Sequence, residues 1–170
     1  MIDNTNNSKK KIKENPLKTA LVHGHTTKTD IRVITNGKID MLSSYMMRLT
    51  HLIKGVEDYQ EVKLELENIV KILSFIMGII AGTGKELEDE KVFELMDLCE
   101  KHSKPMTFKF VLPGQTLLSS EIHIVRTLTR ECELSYAKVY EEHGGSDNIF
   151  EYFNKLSTYL YALALKYEDD

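Results

Sequence analysis

Four residues, His123, Arg126, Arg130 and Glu133, recur at spacings of three, four and three. On an α-helix that spacing places them on neighbouring parts of one surface. Two guanidinium groups and a carboxylate on a stretch otherwise rich in Leu, Ile and Val are costly to bury without partners. Two arrangements satisfy them. One is a solvated outer face or an ion-pair network between subunits. The other is a polyphosphate clamp, in which guanidinium forks supply paired donors to phosphate oxygens while Glu133 orients a cation or an arginine. Spacing by itself leaves both open.

Other candidate chemistry is thinner. His23 and His25 flank Gly24, but without a Cys, Asp or third His nearby they define no metal geometry and read as a loop or a phosphate contact. His123 has apolar neighbours and reads as a satisfied core histidine rather than a base. His51, His102 and His143 fall near helix ends, where dipole or solvent contacts account for them. No Ser-His-Asp arrangement, Cys-His pair or close carboxylate dyad stands out. Cys99 and Cys132 both lie in helical patterns and read as reduced thiols.

The elements that must position these residues are helices. Residues 1 to about 16 are rich in Asn, Lys and Ser and lack periodicity, so residues 1–30 read as a mobile or extended segment ahead of a bundle over 31–170. The apolar spacing predicts helices from about Lys38 to Ile53, Tyr59 to Ala81, Glu86 to Lys101, Thr116 to Glu142 and Asp147 to Tyr167. The second grows so apolar toward its end that it is expected to be buried nearly all round. Gly55, Gly82 with Gly84, and Gly144 with Gly145 punctuate the series, and Asp147 is a plausible N-cap. No alternating pattern demands a sheet, so the expected fold is all-α, an antiparallel five-helix bundle.

Composition bounds the function. At 42% hydrophobic and 28% charged the chain is ordinary globular protein rather than disordered. A net charge of -4 with scattered cations argues against nucleic acid as a partner. No apolar run is long enough to cross a bilayer and the start has no signal-peptide core, so no membrane association and a cytoplasmic location are expected.

Three ordered motifs carry a resemblance to a known family. Phe110-Val111-Leu112-Pro113-Gly114 precedes His123, Arg126, Arg130 and Glu133; Tyr152-Phe153-Asn154-Lys155-Leu156-Ser157-Thr158-Tyr159-Leu160-Tyr161 follows; and Arg32-Val33 with Gly37, Asp40, Leu42 and Ser43 comes first. Together they resemble the ATP:cob(I)alamin adenosyltransferases of the propanediol-utilisation type. The resemblance implies a homotrimer with active sites at subunit interfaces, and ATP, Mg and cobalamin as ligands, cobalamin being a substrate. It implies a salt bridge between subunits from Asp40 to Arg126, ATP binding through Arg130, Glu133 and Asn154, magnesium near Glu133, and Phe110 against the corrin. Asp40, Arg126 and Arg130 form the catalytic set that it carries over. A corrinoid reductase or a B12-dependent enzyme is the further partner it suggests.

The chain also departs from the family pattern. The Gly-Asp-x-Gly triphosphate loop is absent from the stretch Lys18 to Asp30, which holds one glycine. Glu131, Leu134, Lys155 and Leu165 stand where the family has arginines. Repulsion between Glu131 and a polyphosphate needs an offsetting cation, with Lys28, Lys155 or the Lys9 to Lys13 run as candidates, and Lys28 is taken as an ATP contact. Retention of Arg130, Glu133 and Asn154 favours a transferase. Loss of the glycine loop favours a non-catalytic corrinoid- or nucleotide-binding protein on the same scaffold, and a purely structural helical module is the third reading.

Overall fold

The computed structural model describes residues 10–103 and 112–168. Its elements are β1 (Lys18–Leu21), β2 (Gly24–Thr27), α1 (Ile31–Leu52), a short 3-10 turn (Ile53–Gly55), α2 (Tyr59–Ala81), α3 (Asp89–His102), α4 (Leu117–His143) and α5 (Asp147–Lys166). Five helices form the bundle expected from the sequence, with one small sheet added.

α1 begins seven residues before the expected start. Asp30 caps it, accepting the Arg32 backbone N–H at 2.9 Å. Ile31, Val33, Ile34, Thr35 and Gly37 are weak helix formers, which hid these two turns from a reading of local pattern. Long-range bonds hold them instead. Thr35 and Ser135 share a buried hydroxyl bond at 2.7 Å, and the Asn36 amide donates to the Met77 carbonyl at 3.0 Å.

α2 has the expected bounds and stops at Gly82, whose φ of 104° is left-handed. It is not buried all round: Ile69, Leu73, Ile76 and Ile80 face the core, whereas Phe75 is 37% exposed. α2 lies at the edge of the bundle beside a groove shared with α3, so part of its apolar surface has no neighbour. Ser146, rather than Asp147, caps α5, with its hydroxyl accepting from the Asn148 N–H at 3.2 Å.

The helices surround one core in the order α1, α2, α3, α5, α4. α1 and α4 run antiparallel, bridged by Thr35 to Ser135 at one end and Arg48 to Glu121 (2.9 Å) at the other. α4 and α5 are also antiparallel: Phe150 meets Tyr136 (ring centroids 4.9 Å), and Tyr161 meets His123 (6.1 Å). Leu42, Met46, Leu66, Leu73, Val125, Phe153 and Leu160 fill the centre with no exposed surface. Large side chains removed from water in this way supply most of the stability.

The two-stranded sheet is a departure from the expectation that nothing demanded one. β1 and β2 pair antiparallel with Lys18 opposite Thr27 and Leu21 opposite Gly24. Four-residue, mostly exposed strands give too short an alternation to recognise. The hairpin docks where α2 ends, the Val22 N–H donating to the Ala81 carbonyl at 3.1 Å.

Candidate functional site

α4 presents its polar stripe to α5. Arg126 is half-buried, its Nε donating to His123 Nδ1 at 3.1 Å while its guanidinium lies 5.9 Å from the Tyr161 ring centroid. His123 is itself buried and meets the Tyr161 ring edge-on. Burial, with the Arg126 charge beside it, pushes the His123 pKa below its ordinary value. The imidazole is thus held as an acceptor that orients Arg126. It is the satisfied core histidine expected from the sequence, and its position three residues before Arg126 is the signal of its positioning role.

Arg130 is exposed and Glu133 half-buried on the same stripe. Asn154 lies on α5 seven residues before Tyr161, and Glu133 on α4 seven residues after Arg126. Two turns along antiparallel helices from the Arg126–Tyr161 contact therefore bring Asn154 and Glu133 to one level. Among the described residues, none pairs by hydrogen bond or ion pair with the side chains of Arg130, Glu133 or Asn154. Three polar groups with open valences along one seam are what a polyanionic ligand requires.

Asp40 is exposed on α1. Arg126 is turned toward α5, so the two do not meet within one chain, and Asp40 has no side-chain partner among the described residues. On the α1–α4 side, Lys38 pairs with Glu131 at 3.5 Å, tying the two helices together. Here lies the cation opposing Glu131. Lys155 instead pairs with Glu151 at 3.6 Å. Lys38 was missed because it is remote in sequence and becomes a neighbour only when α1 packs on α4.

Lys28 follows β2 and is exposed, its backbone N–H donating to the Leu17 carbonyl at 2.8 Å. Two residues on, Asp30 ties the hairpin to α1. It accepts from Arg32 Nη2 and from the Thr26 hydroxyl, both at 2.7 Å, and lies 3.8 Å from His143 Nε2. The Arg32 guanidinium, supported by Thr26, holds its carboxyl well below the usual carboxylate range. Beside the hairpin a cavity of about 460 Å³ is lined by Lys13, Glu14, Asn15, Lys18, Thr19, Ala20 and His25. Lys13 is exposed, borders this cavity and donates to the Lys18 carbonyl at 3.2 Å. Among the described residues no three His, Cys, Asp or Glu side chains converge as a metal site. Phe110 lies outside the described residues.

A family model for cobalamin adenosyltransferase matches residues 17–167, from the hairpin to the end of α5. This chain belongs to the cobalamin adenosyltransferase family. Among its relatives, a corrinoid adenosyltransferase of Bacillus subtilis (strain 168) is 30% identical over 152 residues, covering 86% of this chain and 79% of that protein. A corrinoid adenosyltransferase of Citrobacter freundii is 31% identical over 157 residues, covering 86% of each. Solved cobalamin adenosyltransferase structures agree in fold. An arginine-to-lysine variant of the PduO-type ATP:co(I)rrinoid adenosyltransferase from Lactobacillus reuteri, complexed with ATP, superposes with a TM-score of 0.81 at 26% identity, covering 89% of both chains. A phenylalanine-to-alanine variant of that enzyme, complexed with cobalamin and ATP, gives 0.81 at 25% identity over 89% of this chain and 88% of the other.

The two cysteines of this adenosyltransferase chain serve packing. Burial pushes the Cys99 thiol up to about 11 and the Cys132 thiol up to about 12, which leaves both poorly nucleophilic. No helix among the described residues is long and apolar enough to cross a membrane.

Proposed function

We propose that this protein transfers the 5′-deoxyadenosyl group of ATP to Co(I) of cob(I)alamin, giving adenosylcobalamin and triphosphate. The observation that carries the reading is the α4–α5 seam, where Arg130, Glu133 and Asn154 stand without partners among the described residues in a chain of the adenosyltransferase family. In the transfer, the cobalt electron pair forms a bond to the ribose C5′, the C5′–O bond breaks, and triphosphate leaves with the bonding pair of that C5′–O bond. The Arg130 fork meets the growing negative charge on the leaving phosphates. Asn154 donates from the facing helix, and Lys28, with the cations of the hairpin cavity, extends the positive field along the triphosphate.

Magnesium fits this donor set. The ion usually takes one or two carboxylates and completes its shell with water and phosphate oxygens, so one half-buried carboxylate at Glu133 suffices and no three-ligand cage is needed. Bound there, it would supply charge neutralisation to the triphosphate.

The active unit proposed is a homotrimer. Ile34 and Met41 on α1, with Ile124 and Leu134 on α4, are 41, 51, 45 and 67% exposed and flank the Lys38–Glu131 pair, an apolar face suited to another copy. Asp40, at the margin of that face, is proposed to pair with Arg126 of a second chain. Phe110 is proposed to lie against the corrin. A cytoplasmic location, a reductase that supplies Co(I) and a B12-dependent enzyme that accepts the product complete the proposal.

A second reading has its own support: the hairpin lacks Gly-Asp-x-Gly, which favours a corrinoid- or nucleotide-binding protein without turnover. An anaerobic assay with Mg-ATP and reduced cob(I)alamin separates the two. Loss of Co(I) absorbance with formation of adenosylcobalamin is expected; corrinoid binding without that change would leave the binding protein as the correct reading.

A further inference from the structure

At the end of the bundle away from the hairpin, a chain of polar groups runs from the core to the surface. Glu65 on α2 is only 8% exposed, yet it accepts from Tyr159 OH at 2.7 Å, from Lys101 Nζ at 2.8 Å and from His102 Nε2 at 2.9 Å. Burial alone would raise its pKa, but these donors outweigh it and hold the carboxyl at about 2. The other ring nitrogen, His102 Nδ1, lies 3.2 Å from Lys166 Nζ. An ammonium only donates, so Nδ1 accepts and the ring hydrogen sits on Nε2, pointing at Glu65. Lys166 in turn pairs with Asp58, which also accepts from Tyr167 OH at 2.8 Å.

Nothing in the transfer reaction uses these groups, and a helical bundle could close the same space with leucine. Buried polar chains cost desolvation and return geometric definition. What this one defines is visible at its ends. His102 is the last residue of α3, and at the far side of the chain the Tyr167 carbonyl accepts from Thr116 Oγ1 at 3.1 Å. Thr116 caps α4, and the neighbouring Gln115 N–H donates to Glu168 at 2.9 Å. Gly114 completes the anchorage: its φ is 77°, and a Cβ there would fall 2.5 Å from Ser120 Cβ. Both ends of the connection between α3 and α4, which carries Phe110, are therefore moored to the last turn of α5.

We propose that the chain from Glu65 through His102, Lys166 and Asp58 to Tyr167 is a positioning relay that fixes the Leu112–Thr116 turn for corrinoid engagement, with His102 as its central positioning residue. This rests on the transferase reading for the ligand, but not for the geometry. ATP is held at the α4–α5 seam in that reading, so the relay acts on the corrinoid side of the reaction and leaves ATP binding alone.

The test is a set of three variants of the full-length protein. His102→Leu breaks both contacts, His102→Gln keeps one donor and one acceptor, and Tyr167→Phe removes the hydroxyl that bonds Asp58 while keeping the ring, a milder change if His102→Leu does not fold. His102→Leu is expected to raise the KM for cob(I)alamin about tenfold with the KM for ATP changed less than about twofold, since small misplacements at a remote support are costly in positioning. Tyr167→Phe should move the corrinoid KM the same way by a smaller factor, and His102→Gln should restore it to within about threefold of the parent. Amide hydrogen exchange over residues 112–120 supplies a readout independent of turnover: faster in His102→Leu, restored in His102→Gln, with α1 unchanged. Equal shifts of both KM values, or a lowered melting temperature with unchanged exchange at 112–120, would overturn the relay. If the parent neither binds corrinoid nor transfers, the transferase reading fails, and the exchange pattern alone still decides the geometry.

Discussion

At the residue scale, the site separates groups that are already committed from groups that are open. Arg126 is held by His123 and Tyr161, whereas Arg130 and Asn154 project without protein partners among the described residues. Arg130→Ala is expected to lower kcat/KM for ATP by roughly 10²-fold or more, and Asn154→Ala by less, because in the proposed transfer each removes donors to the departing phosphates. Steady-state kinetics with ATP varied at saturating cob(I)alamin checks both, and an unchanged KM for corrinoid is part of the expectation. His123 contributes a pH dependence of defined sign. Its folded pKa lies below the ordinary 6.5, so the unfolded chain takes up that proton first as pH falls. Stability from the neutral ring is complete above about 6.5 and declines from there down to the lowered folded value. Melting temperatures of the parent and of His123→Gln across that window should converge toward acid, as the parent alone loses this contribution.

At the element scale, the hairpin and the first turns of α1 depend on Asp30. One carboxylate caps the helix, pairs with Arg32 and accepts from Thr26 of β2. Asp30→Ala is expected to cost about 1–2 kcal/mol in a urea titration, chiefly the lost cap. The same variant should loosen the hairpin, read as faster amide exchange over residues 18–27. Because the Asp30 carboxyl titrates below its usual range, its contribution is present above ordinary carboxylate pKa values and is lost only as pH falls below them. None of this was visible in the local pattern. Local pattern starts α1 only at Lys38, since the preceding β-branched residues and Gly37 disfavour a helix in isolation, and strands of four residues are too short to show alternation. The bounds of α2, by contrast, were legible, because a long apolar period ending at Gly82 is a local signal.

At the scale of the whole molecule, one chain forms the bundle but leaves Asp40 and Arg126 apart. In the proposed trimer they bridge subunits, so Asp40→Arg and Arg126→Asp should each shift sedimentation toward monomer, and the doubly swapped protein should recover the assembly. Recovery of neither assembly nor activity in the double variant would remove the pair from the interface. The candidate site was partly legible for the same reason as the helices: His123, Arg126, Arg130 and Glu133 share one helix, so their common face follows from spacing. Asn154 could be joined to them only through the resemblance, until the ring contacts between α4 and α5 set the register.

What the sequence determined by itself is what neighbours along the chain decide: the number of helices, their glycine stops, the polar stripe of α4 and, through three ordered motifs, the adenosyltransferase family. Tertiary structure alone decided which distant groups meet. Lys38 pairs with Glu131, Asp30 comes within 3.8 Å of His143 at the end of α4, and Glu65 reaches His102 and Tyr159 across the core. Each of these joins residues whose own types permit many partners. A carboxylate or a lysine carries no periodic signature, and only packing of the apolar faces brings one donor rather than another within 3 Å or so of it.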